Sequence, residues 1–215
     1  AADIAPQLGW AAESVLEERM AGGDWDGALR LVDAQRGNRQ MARDHVARRR
    51  AVLLTAKAMA LVDADPLAAR NAGQEAVRLA PDFVPAAVIA ARAYFRQNDL
   101  RKGTKLLEAI WKKSPHPEVA DLYIRARPGD STHDRLARAK KLQSLKQNNP
   151  ESNHAVARAA LEAGELKLAR SSAEALVRQE PRERAFLLMA DIEEAETGEQ
   201  GRVREWLARA LRAPR

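Results

Sequence analysis

Arg92 and Arg96 stand four residues apart, and Arg127 and Arg158 follow at wider intervals, with Phe95, Tyr123 and His154 among them. Four residues is just over one helical turn, so Arg92 and Arg96 share a helix face. A guanidinium grips a carboxylate through two parallel hydrogen bonds, and Phe and Tyr offer flat apolar contact. That is the chemistry of recognition, suited to a segment carrying acidic and apolar residues. Bond-breaking chemistry has no comparable signature. The chain holds no GxSxG, no GxxxxGK[ST] and no HExxH. Carboxylates such as Asp63 and Asp65, or Glu193 and Glu194, fall in expected turns or on expected exposed helix, where nothing shifts a pKa toward acid–base work. The four histidines, His45, His116, His133 and His154, include no pair at a helical metal-binding spacing. His116, between Pro115 and Pro117, and His133, after Gly129-Asp130-Ser131-Thr132, are expected in loops. With no cysteine, disulfides, thiolate metal sites and cysteine nucleophiles are excluded. The expectation is a protein that is not an enzyme and uses no cofactor or metal.

The elements that position these residues are written in the prolines. Pro81, Pro115, Pro150, Pro181 and Pro214 follow one another at 34, 35, 31 and 33 residues. A period near 34 closed by proline marks a tetratricopeptide (TPR) array, whose unit is a helix, a tight turn and a second antiparallel helix. Between Asp82 and Pro115, Ala87, Ala90, Ala91 and Tyr94 recur at three- and four-residue steps, as one apolar helix face requires. Asn98-Asp99 interrupts the pattern, and Leu106, Leu107, Ile110 and Trp111 form a second face. Proline then ends the helix, lacking an amide hydrogen and disfavouring helical backbone at the residue before it. Further turns are expected at Gly22-Gly23, Asp63 to Pro66, Arg127 to Asp130, Gly164-Glu165 and Thr197 to Glu199. The approximate units are 6–37, 38–81, 82–115, 116–150, 151–181 and 182–214, read as one continuous array with a mild subdivision near Gly37-Asn38.

Composition agrees. The chain is 46% hydrophobic but only 4% aromatic, and much of the apolar share is alanine, which suits thin, closely crossed helix pairs. Ala69, Ala91 and Ala169 are expected at the crossings, and Trp10, Trp25, Trp111 and Trp206 in packing. No run alternates as a strand does. The fold class is all-α: a TPR-like α-solenoid of roughly eleven to thirteen helices, paired antiparallel in a right-handed superhelix.

In such arrays the first helix of each unit lines the concave face, through positions 5, 9, 12 and 13. Counting back from the closing prolines assigns Val88, Arg92, Phe95 and Arg96 to the groove, then Tyr123 and Arg127, then His154, Arg158 and Leu161. The expected site is a basic groove for a protein or peptide partner. The chain's net charge is +6, with residues 91–150 at +8 and the first 30 residues at −4. The basic middle suits an acidic protein segment, anionic headgroups or nucleic acid, or is simply a solvated helical surface. The cluster of Arg43, Arg48, Arg49 and Arg50, offset by Asp44, reads as a solvated helix. No helix-turn-helix and no aromatic stacking module is evident, so no nucleic-acid partner is expected.

The runs FVPAAVIAARAYFRQNDLRKGTKLLEAIWKKSPHPEVADLYIRARPGDS, NNPESNHAVARAALEAGELKLAR and RVREWLARALRAPR resemble the HemY family in its alphaproteobacterial form, most strongly from Asp82 onward. The resemblance implies a TPR domain behind an N-terminal pair of membrane spans, absent from this sequence, in a bacterial inner-membrane protein with this domain on the cytoplasmic side. It also implies a link to haem or porphyrin biosynthesis through contacts with that pathway's enzymes. It carries over no functional residues. Two readings stand side by side. One is a membrane-anchored scaffold for a haem-pathway protein. The other is direct binding of haem or a porphyrin precursor, propionates on arginine and ring on Tyr123 or Phe95. A generic assembly role unrelated to haem is a third.

Overall fold

The computed structural model describes residues 9–34 and 43–214, and the side chains of 13–34 and 45–214. The side chains of Trp10, Arg43 and Asp44, and the Gly37-Asn38 boundary, lie outside the described residues. Among those residues the chain forms twelve α-helices and no strand. They are α1 (Gly9–Ala21), α2 (Trp25–Ala34), α3 (Arg43–Leu61), α4 (Pro66–Leu79), α5 (Val84–Arg96) and α6 (Leu100–Lys113), followed by α7 (Pro117–Ile124), α8 (Thr132–Leu145), α9 (Pro150–Glu162), α10 (Leu166–Gln179), α11 (Glu183–Glu196) and α12 (Gln200–Arg212). The fold is an all-α array of TPR-like helix pairs. It divides into two compact units, Ala1–Leu106 and Leu107–Arg215.

Local chemistry sets the helix ends. Pro66, Pro117 and Pro150 each occupy the first helical position, where a missing amide hydrogen costs nothing. Pro150 therefore opens α9 instead of closing α8. The side chains of Asp65, His116 and Asn149 cap α4, α7 and α9 by accepting from Ala68 N, Glu118 N and Glu151 N. Ser131 and Asp134 form a reciprocal capping box, so α8 starts at Thr132. His133 is consequently in the first turn of α8, where a loop was expected. The tight turns between paired helices pass through left-handed backbone at Asn98 (φ 59°) and Gly164 (φ 74°), at two of the expected breaks.

In the first unit, α3 and α4 run antiparallel: Arg50, midway along α3, donates from Nη2 to Glu75 Oε1, late in α4, at 2.9 Å. The same guanidinium donates to Asp33 on α2. Arg49 donates to Glu13 on α1, and Arg48 to Asp82 at 3.0 Å while lying 4.5 Å from the Phe83 ring centre. The arginines read as a solvated helix thus tie α3 to its neighbours. Where α4 crosses α5, both faces are small: Ala69, Ala72, Gly73 and Ala76 meet Ala86, Ala90 and their neighbours, all buried. A Cβ on Gly73 would sit 2.9 Å from Ala90 Cβ and 3.0 Å from its Cα.

In the second unit, α9 and α10 are antiparallel. Asn153, near the start of α9, donates to Gln179 at the end of α10 at 2.9 Å. The core joins Leu136, Val156, Ala169, Leu176, Leu188 and Met189, and each second helix packs on the first helix of the next pair. Trp111 is fully buried and donates from Nε1 to Leu142 O at 2.9 Å, a packing residue with its one polar atom satisfied. Glu193, expected on exposed helix, is only 2% exposed. It accepts from Arg170 and Thr197, and the Arg170 hydrogen bond holds its carboxyl below the ordinary range.

Candidate partner-binding groove

The first helices of successive pairs lie side by side in the second unit: α9 packs against α7 and against α11. Two clefts follow. One, of about 310 Å³, runs between α7 and α9. The other, of about 340 Å³, runs between α9 and α11. His154, Arg158 and Glu162 line both, so α9 presents one face to a continuous groove. Its floor is apolar, from Ala120, Ala155 and Ala159 on one side to Leu161, Leu187 and Leu188 on the other.

His154 and Arg158 are where the sequence count placed them, with Leu161 beside them. His154 is half-buried, and burial, followed by the nearby Arg184 charge, holds its imidazole below the usual 6.5. Arg158 is exposed and has no carboxylate within 4.0 Å among the described residues. The neighbouring arginines differ. Arg125 bonds Asp121 at 2.9 Å and Glu162 at 3.3 Å, and Arg184 bonds Glu151 and Glu180. Five carboxylates line the groove, Glu118, Asp121, Glu151, Glu162 and Asp191, against the three arginines 125, 158 and 184. Its charge in this unit is mixed, and Arg158 is the arginine left to meet a ligand.

Tyr123 and Arg127 fall elsewhere. Tyr123 is buried, and its hydroxyl donates to Glu108 Oε1 at 2.7 Å. Burial first, and then that bond, push its pKa up. The ring offers no open face to a ligand or a porphyrin. Arg127 lies beyond the end of α7, in the loop to α8, with Nε 3.9 Å from Asp130 Oδ1. Pro128 accounts for this, since the residue before a proline is driven out of the helical region. Counted from the first residue of each first helix, positions 5 and 9 are Asp121 of α7 and Arg125 at its C-cap, His154 and Arg158 on α9, and Leu187 and Asp191 on α11. Counting back from prolines slipped by two residues at α7, because that unit has a short first helix and a long loop. The helix-start proline Pro117 was the signal that would have found Asp121 and Arg125.

Arg92, Phe95 and Arg96 belong to the first unit, on α5. Arg92 and Arg96 are exposed. Arg96 donates to Asp63, in the turn between α3 and α4. Phe95 is half-buried, its ring filling the space over Gly103 of α6 where a Cβ would meet it at 2.3 Å. It packs within its own helix pair. Among the described residues no three His, Asp or Glu side chains are grouped to hold a metal ion, and no helix is long and apolar enough to cross a membrane.

No family model and no curated protein matches the sequence. Among solved structures the chain is similar to MamA of AMB-1, at 19% identity over 76% of this chain and 91% of that one, with a TM-score of 0.42. At that score the similarity says nothing further about this chain.

Proposed function

We propose that this domain is a non-catalytic scaffold that holds a segment of a partner protein in the groove of α7, α9 and α11. The observation that carries the reading is the equivalence of three first helices. Counted from each helix start, the fifth and ninth places give Asp121 and the α7 C-cap Arg125, His154 and Arg158 of α9, and Leu187 and Asp191 of α11, around an alanine and leucine floor. A segment with apolar anchors and charges of both signs suits that lining, with one carboxylate on Arg158. The reading keeps six repeat units, 6–37, 38–81, 82–115, 116–150, 151–181 and 182–214, and on α5 of the third the fifth and ninth places are Val88 and Arg92, followed by Phe95 and Arg96. The HemY-like segments support a partner among the enzymes of haem biosynthesis, in a parent protein anchored in a bacterial inner membrane with this domain on the cytoplasmic side.

The test is capture of partners from solubilised membranes by the full-length protein, wild type against Arg158→Glu. A partner retained by wild type and lost from the variant, with unchanged helical content, supports the groove. Identical capture by both removes it.

A further inference from the structure

The arginines and lysines of the second unit are used differently. Arg125, Arg127, Arg135 and Arg138 each lie within 4.0 Å of a carboxylate. Lys112, Lys113, Lys140, Lys141 and Lys146 have no such partner among the described residues. These five lysines gather at one edge. Lys112 and Lys113 end α6, the other three belong to the C-terminal part of α8 and the residue after it, and Lys146 Nζ donates to Lys112 O at 3.0 Å, which brings the two helix ends together. Four of the five are exposed. No Asp or Glu occurs in residues 109–117 or 135–150. Lysine near a helix C-terminus offsets the helix dipole within the last turn, which explains Lys112, Lys113 and Lys146. It does not explain Lys140 and Lys141, which stand five and four residues before the end of α8.

Beside the lysines is a polar cleft of about 330 Å³, lined by Lys140, Gln143, Ser144, Gln147, Asn148 and Asn153, with no carboxylate in its lining. The large apolar side chains that are exposed, Val52, Met59, Leu67, Leu187, Leu207 and Leu211, all lie elsewhere, and among the described residues 109–153 no Phe, Tyr or Trp is exposed. The edge therefore lacks the stacking rings that hold single-stranded nucleic acid and the apolar anchors that fix a peptide. It offers flexible ammonium groups and amide donors, which need many anions and no fixed stereochemistry.

We propose that this lysine edge docks the domain on an anionic lipid surface, with Lys112, Lys113, Lys140 and Lys141 among the headgroup phosphates and the amide cleft beside them taking a polar headgroup. Juxtaposed lysines attract an anionic leaflet additively, and the attraction falls off within a Debye length. The edge is separate from the groove of α7, α9 and α11, so the proposal stands or falls independently of the scaffold reading.

The experiment is cosedimentation of the 215-residue chain with vesicles of phosphatidylcholine containing about 30 mol% phosphatidylglycerol, and with phosphatidylcholine alone, at about 0.15 M and about 0.5 M salt. Binding to the anionic vesicles should exceed that to the neutral ones by about tenfold or more at the lower salt and vanish at the higher. The quadruple variant Lys112→Gln, Lys113→Gln, Lys140→Gln, Lys141→Gln should lose it. A variant of equal net charge, Arg101→Gln, Lys105→Gln, Lys167→Gln, Arg178→Gln, should keep it, which separates this edge from overall charge. Circular dichroism checks that both fold. Equal loss in both variants, or no anionic-vesicle binding by the wild type, overturns the proposal. Retention of a polyglutamate peptide without vesicle binding overturns it in favour of an acidic protein partner.

Discussion

Arg170 Nη2 lies 2.7 Å from Oε2 of Glu193, and that carboxylate is 2% exposed inside the second unit. Arg170 also donates to Glu196, and Arg202 Nη1 stands 3.7 Å from the other Glu193 oxygen. A buried acid held this way is stable only while its partners are present. Arg170→Ala should lower stability by about 1–3 kcal/mol, read from urea midpoints. Because the Arg170 hydrogen bond holds the folded Glu193 carboxyl below its ordinary 4.5, its contribution is full above that pH and fades as pH falls through the lowered value. The variant should therefore show a shallower acid loss of stability than wild type. Matching acid limbs would mean Glu193 is not a contributor.

The crossing of α4 and α5 gives a second prediction. A methyl on Gly73 meets the backbone of Ala90 at 3.0 Å, so Gly73→Ala should destabilise despite its better helix propensity. Ala91→Leu, at a fully buried position on α5, should cost about 1–3 kcal/mol by overpacking. Thermal melts of both variants decide it: an unchanged midpoint for Gly73→Ala would mean the crossing is looser than the geometry says, and one for Ala91→Leu that its buried surroundings yield to a larger side chain.

The fold was legible because alanine spacing and proline spacing report the same event, a close helix crossing followed by a stop. Ala69, Ala91 and Ala169 are fully buried, and the turns expected at Asn98-Asp99 and Gly164-Glu165 are present. The helix face that lines the clefts was legible where a unit is regular, as at His154 and Arg158. It was lost at Tyr123 and Arg127, where the helix α7 is only 8 residues long and a fixed count drifts off the groove face. Tertiary partners were also hidden. Nothing local announces that Glu193 is buried, since its cover comes from Arg170, more than twenty residues earlier.

His154 should titrate below 6.5, because burial and the Arg184 charge disfavour the imidazolium. With the folded pKa below the unfolded one, the unfolded chain binds the proton more readily in the interval between them. Stability should thus fall as pH drops from about 6.5 toward the folded value. His154→Gln should flatten that part of the profile. Imidazole NMR titration checks the direction, and a pKa above 6.5 would contradict the burial reading.

Removing the Tyr123 hydroxyl tests its packing role. Tyr123→Phe should cost about 1 kcal/mol through the lost bond to Glu108, with partner capture unchanged. Lost capture without lost stability would return Tyr123 to the binding surface.

The most direct test of the groove is photocrosslinking in cells, with a benzophenone amino acid placed in the full-length protein at Leu187 in the groove or at Lys167 on α10 outside it. A discrete protein adduct is expected from Leu187, none from Lys167, and loss of the Leu187 adduct when Arg158 is changed to Glu. The same adduct from both positions, or one from Lys167 alone, would contradict it.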